Sequence, residues 1–380
     1  MTMQLTFPDF DQAEIDSVAR CLASGWVTQG PMTAEFERVF RERHDAKHAL
    51  ATTSCTAALH LAALALQLGP GDEVIVPAFT WVTSAYCVEY VGAKVVFVDV
   101  DAGTFNIDVR KLAQAITPRT RAIVAVHLFG LAAEMDTILS LAKRHDIAVI
   151  EDAACATGTT YNGKPVGTLG DVGCFSFHPR KVVTTGEGGM VTTERDDLAA
   201  SVASFRNHGA TGLPSVEIEP HGPWTMATFD CVGHNLRLSD IQAAVGVVQM
   251  KKLDRLLTER RSRALRYSEL LASVNDVALP TGSRSDGHSF QSYVIRVLDG
   301  GRSRRNQVMA HMMRKGIASR PGTHAVPRLG YYHRQDEYRA SAYPVAAECE
   351  DTTITLPIFP RMIDAEQDQV VEAIVAGLNS

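Results

Sequence analysis

The stretch "HALATTSCTAALHLAALALQLGPGDEVIVPAFTWVTSAYCVEYVGAKVVFVDV", residues 48–100, decides the fold. Its apolar runs come in two lengths. "HALATTS" (48–54), "EVIVP" (73–77) and "KVVFVDV" (94–100) are short and apolar along their length, and Pro77 stops the second. "TAALHLAALALQLG" (56–69) and "TWVTSAYCVEYVG" (80–92) are long enough for helices and close on Gly69 and Gly92. Strands that do not alternate polar with apolar residues belong to a parallel sheet covered by helices on both faces. The alternation continues outward with a helix at "RKLAQAI" (110–116), a strand at "RAIVAVHLFG" (121–130), a helix at "MDTILSLAKRHD" (135–146) and a strand at "IAVIED" (147–152).

After Ser239 the pattern changes. "SDIQAAVGVVQMKKLDRLLTERRSRALRYSELLASV" (239–274) is one amphipathic stretch with Ser239 as its N-cap, and it carries the chain out of the first domain. "FQSYVIRVL" (290–298), "RNQVMAHMMRKG" (305–316) and "DAEQDQVVEAIVAGL" (364–378) predict a smaller α+β unit, and "PGTHAVPRLGYYHRQDEYRASAYP" (321–344) a long ordered loop. The expected division is a large domain with its N-terminal segment over 1–248 and a small C-terminal domain over 249–380.

The 380 residues, 46% hydrophobic and 21% charged, are enough for a large core and two domains. A net charge of −6 gives no general attraction to nucleic acid or to an anionic membrane. No apolar run reaches eighteen residues, so no spanning helix is expected. The opening "MTMQLTFPDFDQAEIDS" lacks the layout of a signal peptide. Seven cysteines, with no CxxC pair, fit reduced thiols in a cytoplasmic protein. Neither they nor the thirteen histidines show metal-ligand spacing, so no metal is expected.

In open parallel sheets ligands sit at the carboxyl ends of strands, and four features land there. At "TSCTAAL" (53–59) a strand ends and a helix begins near Thr56, which makes either an ordinary N-cap or an anion site suited to phosphate. At "VIEDAAC" (149–155) Glu151 and Asp152 are either solvated at the rim or aimed at a cationic ligand atom. In "FSFHPRKVVTTGEGGMVTT" (175–193) Lys181 sits in a Thr- and Gly-rich turn between two strands, facing water or held in a pocket as an amine nucleophile, with Ser176 able to offer its hydroxyl to the same anion. Trp81, at a strand-to-helix junction, packs or stacks on a flat ring. Together they describe one ligand, a flat ring with a phosphate arm, a basic ring nitrogen and an aldehyde. That ligand is pyridoxal 5′-phosphate (PLP), which a lysine holds as a Schiff base while a carboxylate keeps its ring nitrogen protonated. No GxGxxG follows the first strand, which disfavours a nicotinamide cofactor.

The sequence resembles the DegT-like sugar aminotransferases, fold-type I PLP enzymes of the aspartate aminotransferase superfamily. The resemblance is carried by "GWVTQGP" (25–31), "TSCTAALHLAALALQLGPGDEVIVPAFTWVTSA" (53–85), "VIEDAACATG" (149–158), "GDVGCFSFHPRKVVTTGEGGMV" (170–191), "RNHG" (206–209) and "GHNLRLSDIQAAVG" (233–246). It implies that Lys181 forms the Schiff base and later moves the proton, and that Asp152 pairs with the ring nitrogen. It also implies that Trp81 stacks on the ring, and that Thr56, neighbouring N–H groups such as that of Cys55, and Ser176 bind the phosphate. Asn235 would reach the cofactor of a neighbouring subunit in a homodimer with shared active sites. Where the family often has Gln or His against the cofactor's phenolic oxygen this chain has Cys155, a weak hydrogen-bond donor, so that contact is lost or passes to water or Thr157.

By the same resemblance the donor is L-glutamate and the acceptor a nucleotide-linked keto-sugar, with a perosamine-type 4-amino-4,6-dideoxy sugar as product. His178, Arg180, Glu187, Arg206, His208, His288, Arg320 and His324 are the candidate substrate contacts. The alternatives are a sugar dehydratase, an aminotransferase acting on a cyclitol ketone, and a non-catalytic regulator on the same fold. Dehydratase relatives carry His in place of the lysine, and retention of Lys181 with Asp152 speaks against the regulator.

Overall fold

A computed structural model of the chain describes residues 3–212, 222, 224–282 and 287–380. Seven strands form the central sheet: β1 (His48–Thr52), β2 (Glu73–Pro77), β3 (Lys94–Val98), β4 (Thr120–Val126), β5 (Ala148–Asp152), β6 (Val172–Ser176) and β7 (Gly189–Thr193). Their order is β1-β7-β6-β5-β4-β2-β3. The ladders β6–β5, β5–β4, β4–β2 and β2–β3 are parallel, and β7 alone is antiparallel to both its neighbours. Strands β2 and β6 are buried at every position, as continuous apolar runs between two helical layers require.

The lysine turn joins β6 to β7 as a hairpin-like connection, which is why β7 runs backwards. Two glycines make it possible. Gly186 has φ +84°, a left-handed conformation that L side chains rarely adopt. A Cβ at Gly189 would lie 2.5 Å from the Ser54 backbone, so only glycine lets the start of β7 pack against the start of the helix Cys55–Ala65.

Helices α1 (Gln12–Ser24) and α2 (Pro31–His44) lie on α5 (Asp240–Leu270), and α3 (Cys55–Ala65) lies against β6 and β7. Ser239 caps α5 with a full capping box through Gln242. Position 248, the expected domain boundary, falls inside this continuous helix. Beyond it a three-stranded antiparallel sheet (Val277–Ala278, Tyr293–Val297, Thr353–Leu356) packs with helices Gly301–Arg314 and Asp364–Leu378 around a separate apolar cluster centred on Tyr267, Ile295 and Ile354. Among the described residues no helix is long and apolar enough to cross a membrane.

Some elements differ from expectation. The helix expected over 80–92 is shorter, Thr83–Glu89 (α4), because Phe79–Thr80 is extended and pairs antiparallel with His324–Ala325. That pairing also turns part of the 321–344 loop into a short strand, in a two-stranded sheet separate from the central one. The helix expected over 56–69 ends at Ala65, before Gln67 takes φ +56°. Strand β4 stops at Val126 and leads into a single 3₁₀ turn, Leu128–Gly130.

Candidate active site

A cavity of about 280 Å³ opens at the carboxyl ends of β5 and β6. It is lined by Cys55, Thr56, Trp81, Asp152, Cys155, Ser176, His178, Arg180, Lys181, Glu187 and Arg320, all marked in the sequence, and by residues of the C-terminal layer.

The two acidic residues at the end of β5 have different fates because a strand alternates its side chains. Glu151 points away from the cavity and is fully buried. Its carboxylate accepts from the N–H groups of Gly167, Leu169 and Gly170 and bonds His127 Nε2 at 2.9 Å. Burial would raise its pKa, but the bond and charge interaction with His127 and the glycine N–H groups outweigh it and hold the carboxyl below its ordinary value. His127 Nδ1 in turn accepts from Ala133 N–H, which leaves Nε2–H to donate. Glu151 therefore ties the loop before β6 to the strand.

Asp152 points into the cavity yet is only 4% exposed. Ser84, on α4, donates to Oδ2 at 2.6 Å, and Ala154 N–H donates to Oδ1 at 3.1 Å. Thr80 Oγ1 lies 2.9 Å from Ser84 Oγ and fixes it in turn. Among the described residues no Lys, Arg or His nitrogen lies within 4.0 Å of this carboxylate. A buried charge without a counter-charge is costly, and the arrangement suits a cationic ligand atom.

Lys181 enters from the β6–β7 connection. Its N–H donates to His178 O at 2.8 Å, and its Nζ lies 3.2 Å from Cys155 Sγ. The thiol thus faces the amine directly. Thr157, the alternative donor, is buried outside the cavity, and its Oγ1 has no partner among the described residues. At the cavity's other end α3 begins. Ser54 Oγ caps it by accepting from Ala57 N–H, while the N–H groups of Cys55 and Thr56 precede the first intrahelical bond. With the Ser176 hydroxyl, on the same cavity wall, they offer the kind of donors that suit an anion. Cys55 itself is buried, and that burial, ahead of the nearby Asp152 charge, holds its thiol well above the ordinary pKa. Trp81 is half exposed over the cavity and tilts against the His324 ring at a centroid distance of 5.6 Å.

Five further predicted residues are not brought to this cavity. His288 is 2% exposed and stacks on Phe290 at 3.7 Å, with Nδ1 accepting from Phe290 N–H, so packing and not substrate contact accounts for it. His208 is exposed at φ +62° on a turn bonded to His234 O. Asn235 is exposed on the strand-like segment that bridges Asn207. His324 lies behind Trp81, in the neighbouring cleft with Arg302, Arg305 and Glu350. Arg206 is taken up by Glu37 and Ala51 O, each at 2.6 Å. The sequence reading missed Ser84 and Thr80, which aim Asp152, and Gln291, whose Nε2 donates to Arg180 O at 2.7 Å. A serine one turn after Trp81 was the available signal for the first.

Charge in the cavity is unbalanced. Arg320 donates to Gly322 O at 2.9 Å and has no carboxylate within 4.0 Å among the described residues. Its pKa is lowered by burial and then by the charge of Arg180. Burial likewise lowers His178, with Lys181, Arg180 and Arg320 adding to the effect against Glu187. Such uncompensated guanidinium groups favour carboxylate or phosphate ligands.

Two histidines carry a pH prediction. Burial lowers His288 to about 3 and His44 to about 4, whereas an unfolded histidine titrates near about 6.5. Between those values the unfolded chain binds protons that the folded chain does not, so stability is full above about pH 6.5 and falls as pH drops through the window. Each histidine adds a slope of up to about 1.4 kcal/mol per pH unit. In urea titrations between pH 7.5 and 5, His288→Asn is expected to flatten the slope by about one proton; an unchanged slope would refute the assignment.

An open, mostly parallel sheet with a buried, uncompensated acid and an amine at its carboxyl edge, beside a helix N-terminus, defines a fold-type I PLP-dependent aminotransferase, and the residues present fit that cofactor. The chain belongs to the DegT/DnrJ/EryC1/StrS aminotransferase family, whose model matches residues 8–375, and the enzyme is a PLP-dependent sugar aminotransferase. It is 40% identical over 372 residues to a GDP-perosamine synthase of Caulobacter vibrioides, covering 97% of this chain and 96% of that protein. It is 36% identical to the spore coat polysaccharide biosynthesis protein SpsC of Bacillus subtilis, over 97% of this chain and 95% of that one. The PLP form of Spr1654 from Streptococcus pneumoniae superposes with a TM-score of 0.92 at 30% identity, covering 100% of this chain and 99% of that one.

Proposed function

We propose that the enzyme moves the amino group of L-glutamate to a nucleotide-linked 4-keto-6-deoxy sugar, giving a perosamine-type 4-amino-4,6-dideoxy sugar nucleotide. The observation that carries this reading is the similarity to GDP-perosamine synthase along nearly the whole of both chains. The surplus of cavity arginine, with Arg180 and Arg320 free of carboxylate partners among the described residues, suits the carboxylates of the donor and the diphosphate of the acceptor.

In this reading Asp152 would pair with the cofactor's ring nitrogen, the Cys55 and Thr56 N–H groups and Ser176 would hold its phosphate, and Trp81 would pack on its ring. Bound PLP supplies the aldehyde that accepts the amino group and a ring that takes up the electron pair released with the substrate's proton. Lys181 carries that proton: its Nζ takes it from the amine-bearing carbon of the donor and returns one at the acceptor's former carbonyl carbon. Cys155 lies beside Nζ and steadies it between the two positions. Arg180 and Arg320 orient the anionic ends, with His178 and Glu187 at the rim.

Two copies assemble in the cytoplasm so that Asn235 reaches the partner's phosphate corner. Exposed Trp26, Val27, Trp224, Met226, Phe229 and Val232 support such an interface; a monomeric mass in solution would exclude it. The direct test is a panel of nucleotide keto-sugars and an inosose with L-glutamate, followed by mass spectrometry. Conversion of a 4-keto-6-deoxy sugar nucleotide to the amine is the expected result, and amination of the inosose alone would replace this reading by the cyclitol one.

A further inference from the structure

The segment 288–292, just before the strand Tyr293–Val297, bonds three loops whose residues Phe129, Cys155 and Arg180 line the cavity. Ser289 N–H donates to Gly130 O at 3.1 Å and Ser292 N–H to Phe129 O at 3.3 Å, both in the turn after β4. Ser289 Oγ donates to Cys155 O at 3.3 Å, past the end of β5. Gln291 Nε2 donates to Arg180 O at 2.7 Å, in the β6–β7 connection one residue before Lys181. Ser292 Oγ donates to Gln291 Oε1 at 3.1 Å, which leaves the NH₂ end of the amide to the Arg180 carbonyl.

The segment is held in this form at a cost. Phe290 is buried at φ +46°, a conformation that a bulky L residue takes only where its surroundings impose it. Arg260 of α5, also buried, directs Nη1 at the carbonyls of Phe290 (3.4 Å), Gln291 (3.3 Å) and Ile358 (3.2 Å). Among the described residues no carboxylate lies within 4.0 Å of that guanidinium, and a buried charge without a counter-charge is costly. What these features hold in place is the backbone beside the reactive lysine. The Arg180–Lys181 peptide group is planar. Its oxygen is bound by Gln291, and its N–H donates to His178 O at 2.8 Å. Both polar atoms of that plane are thus fixed, and the flexible lysine stem departs from it. A small tilt of the plane would be carried along the stem to Nζ, and misplacement of a reacting group by 1 Å is costly in rate.

We propose that Gln291 is a positioning residue for Lys181: its amide fixes the Arg180–Lys181 peptide plane and so sets where Nζ stands in the cavity. The inference rests on the reading of Lys181 as the amine that carries the proton. The test compares the unsubstituted enzyme with Gln291→Met, which keeps the length and loses the donor, and with Ser292→Ala, which keeps the donor and loosens its aim. Three quantities are measured: the rate at which protein stripped of PLP gains the lysine-bound absorption band when PLP is added, kcat and KM of each half-reaction, and the Tm. Gln291→Met is expected to slow the appearance of the band and to lower kcat in both half-reactions by the same factor, roughly five- to tenfold, the worth of one neutral hydrogen bond. The KM values should stay as they were, because one amine serves both substrates and neither is bound through Gln291. Ser292→Ala should lower the same rates about twofold, the lower end of that range. A merely structural role would lower the Tm and leave the rates measured well below it unchanged, and that result overturns the assignment. A loss confined to KM or to one half-reaction also overturns it, by making Gln291 a substrate contact. Should Gln291→Met fail to fold, Ser292→Ala decides: a twofold loss in both half-reactions supports the assignment, and unchanged rates overturn it. An active Lys181→Ala removes the reading on which the inference rests, whereas unchanged rates in Gln291→Met beside an inactive Lys181→Ala remove the inference alone.

Discussion

Lys181→Ala is expected to lower turnover by roughly 10³–10⁴-fold, at the upper end of what one positioned proton-transfer group supplies. The loss equals about 4–5.5 kcal/mol of barrier. Among the described residues the side chain makes one bond, from Nζ to Cys155 Sγ, while its main-chain bond to His178 O survives the change. The variant should therefore keep its Tm and lose the absorption band of the lysine-bound cofactor. Lys181→Arg separates charge from chemistry. A guanidinium keeps the positive charge but does not give up its proton in proteins, so it neither attacks an aldehyde nor accepts a proton from carbon, and it should be as inactive as alanine. An Ala or Arg variant that turned over within tenfold of the original would show that the proton is carried elsewhere.

The strands of the central sheet could be read from residues 48–152 because each is a local property. A run such as "EVIVP" is apolar on both faces wherever it lies, and the helices between the strands follow from length and a terminal glycine. The same logic brought Thr56, Trp81, Asp152 and Lys181 to one cavity, since all lie at or just past strand ends. What could not be read depends on residues far apart in the chain. Phe79–Thr80 is extended because it pairs with His324–Ala325, more than 240 positions later, and no local pattern marks that. Ser84 bonds Asp152 across 68 positions, and its sequence neighbours read as a plain helix start. Glu151 and Asp152 looked equivalent, and only the sheet assigns one to each face. His288 looked like a surface ligand because histidine is ambivalent, and the stacking on Phe290 that buries it belongs to the three-dimensional structure.

Asp152→Asn carries the second large effect. The substitution keeps size and shape, and an amide oxygen can still accept from Ser84 Oγ or from Ala154 N–H, which now bond the two carboxylate oxygens. What disappears is the negative charge. In a site shielded from water, a fixed charge acts with little screening on whatever charge develops beside it. If Asp152 holds a proton on the pyridine nitrogen, asparagine cannot, and the ring loses most of its capacity to take up electrons. Turnover is expected to fall roughly 10²–10³-fold, the range for removing one preorganised electrostatic partner, and the cofactor to bind more weakly, as read by equilibrium dialysis. Ser84→Ala leaves the charge and removes only its aim. It should cost about five- to tenfold, one hydrogen bond's worth, with cofactor affinity nearly retained. The order Asn well below Ala at position 84 follows from charge outranking orientation. Equal losses at the two positions would make Asp152 a hydrogen-bond acceptor and nothing more. Stability supplies the opposite sign: burying this carboxylate uncompensated strains the cofactor-free protein, so Asp152→Asn should raise the Tm of the protein stripped of PLP while lowering the increment that added PLP provides.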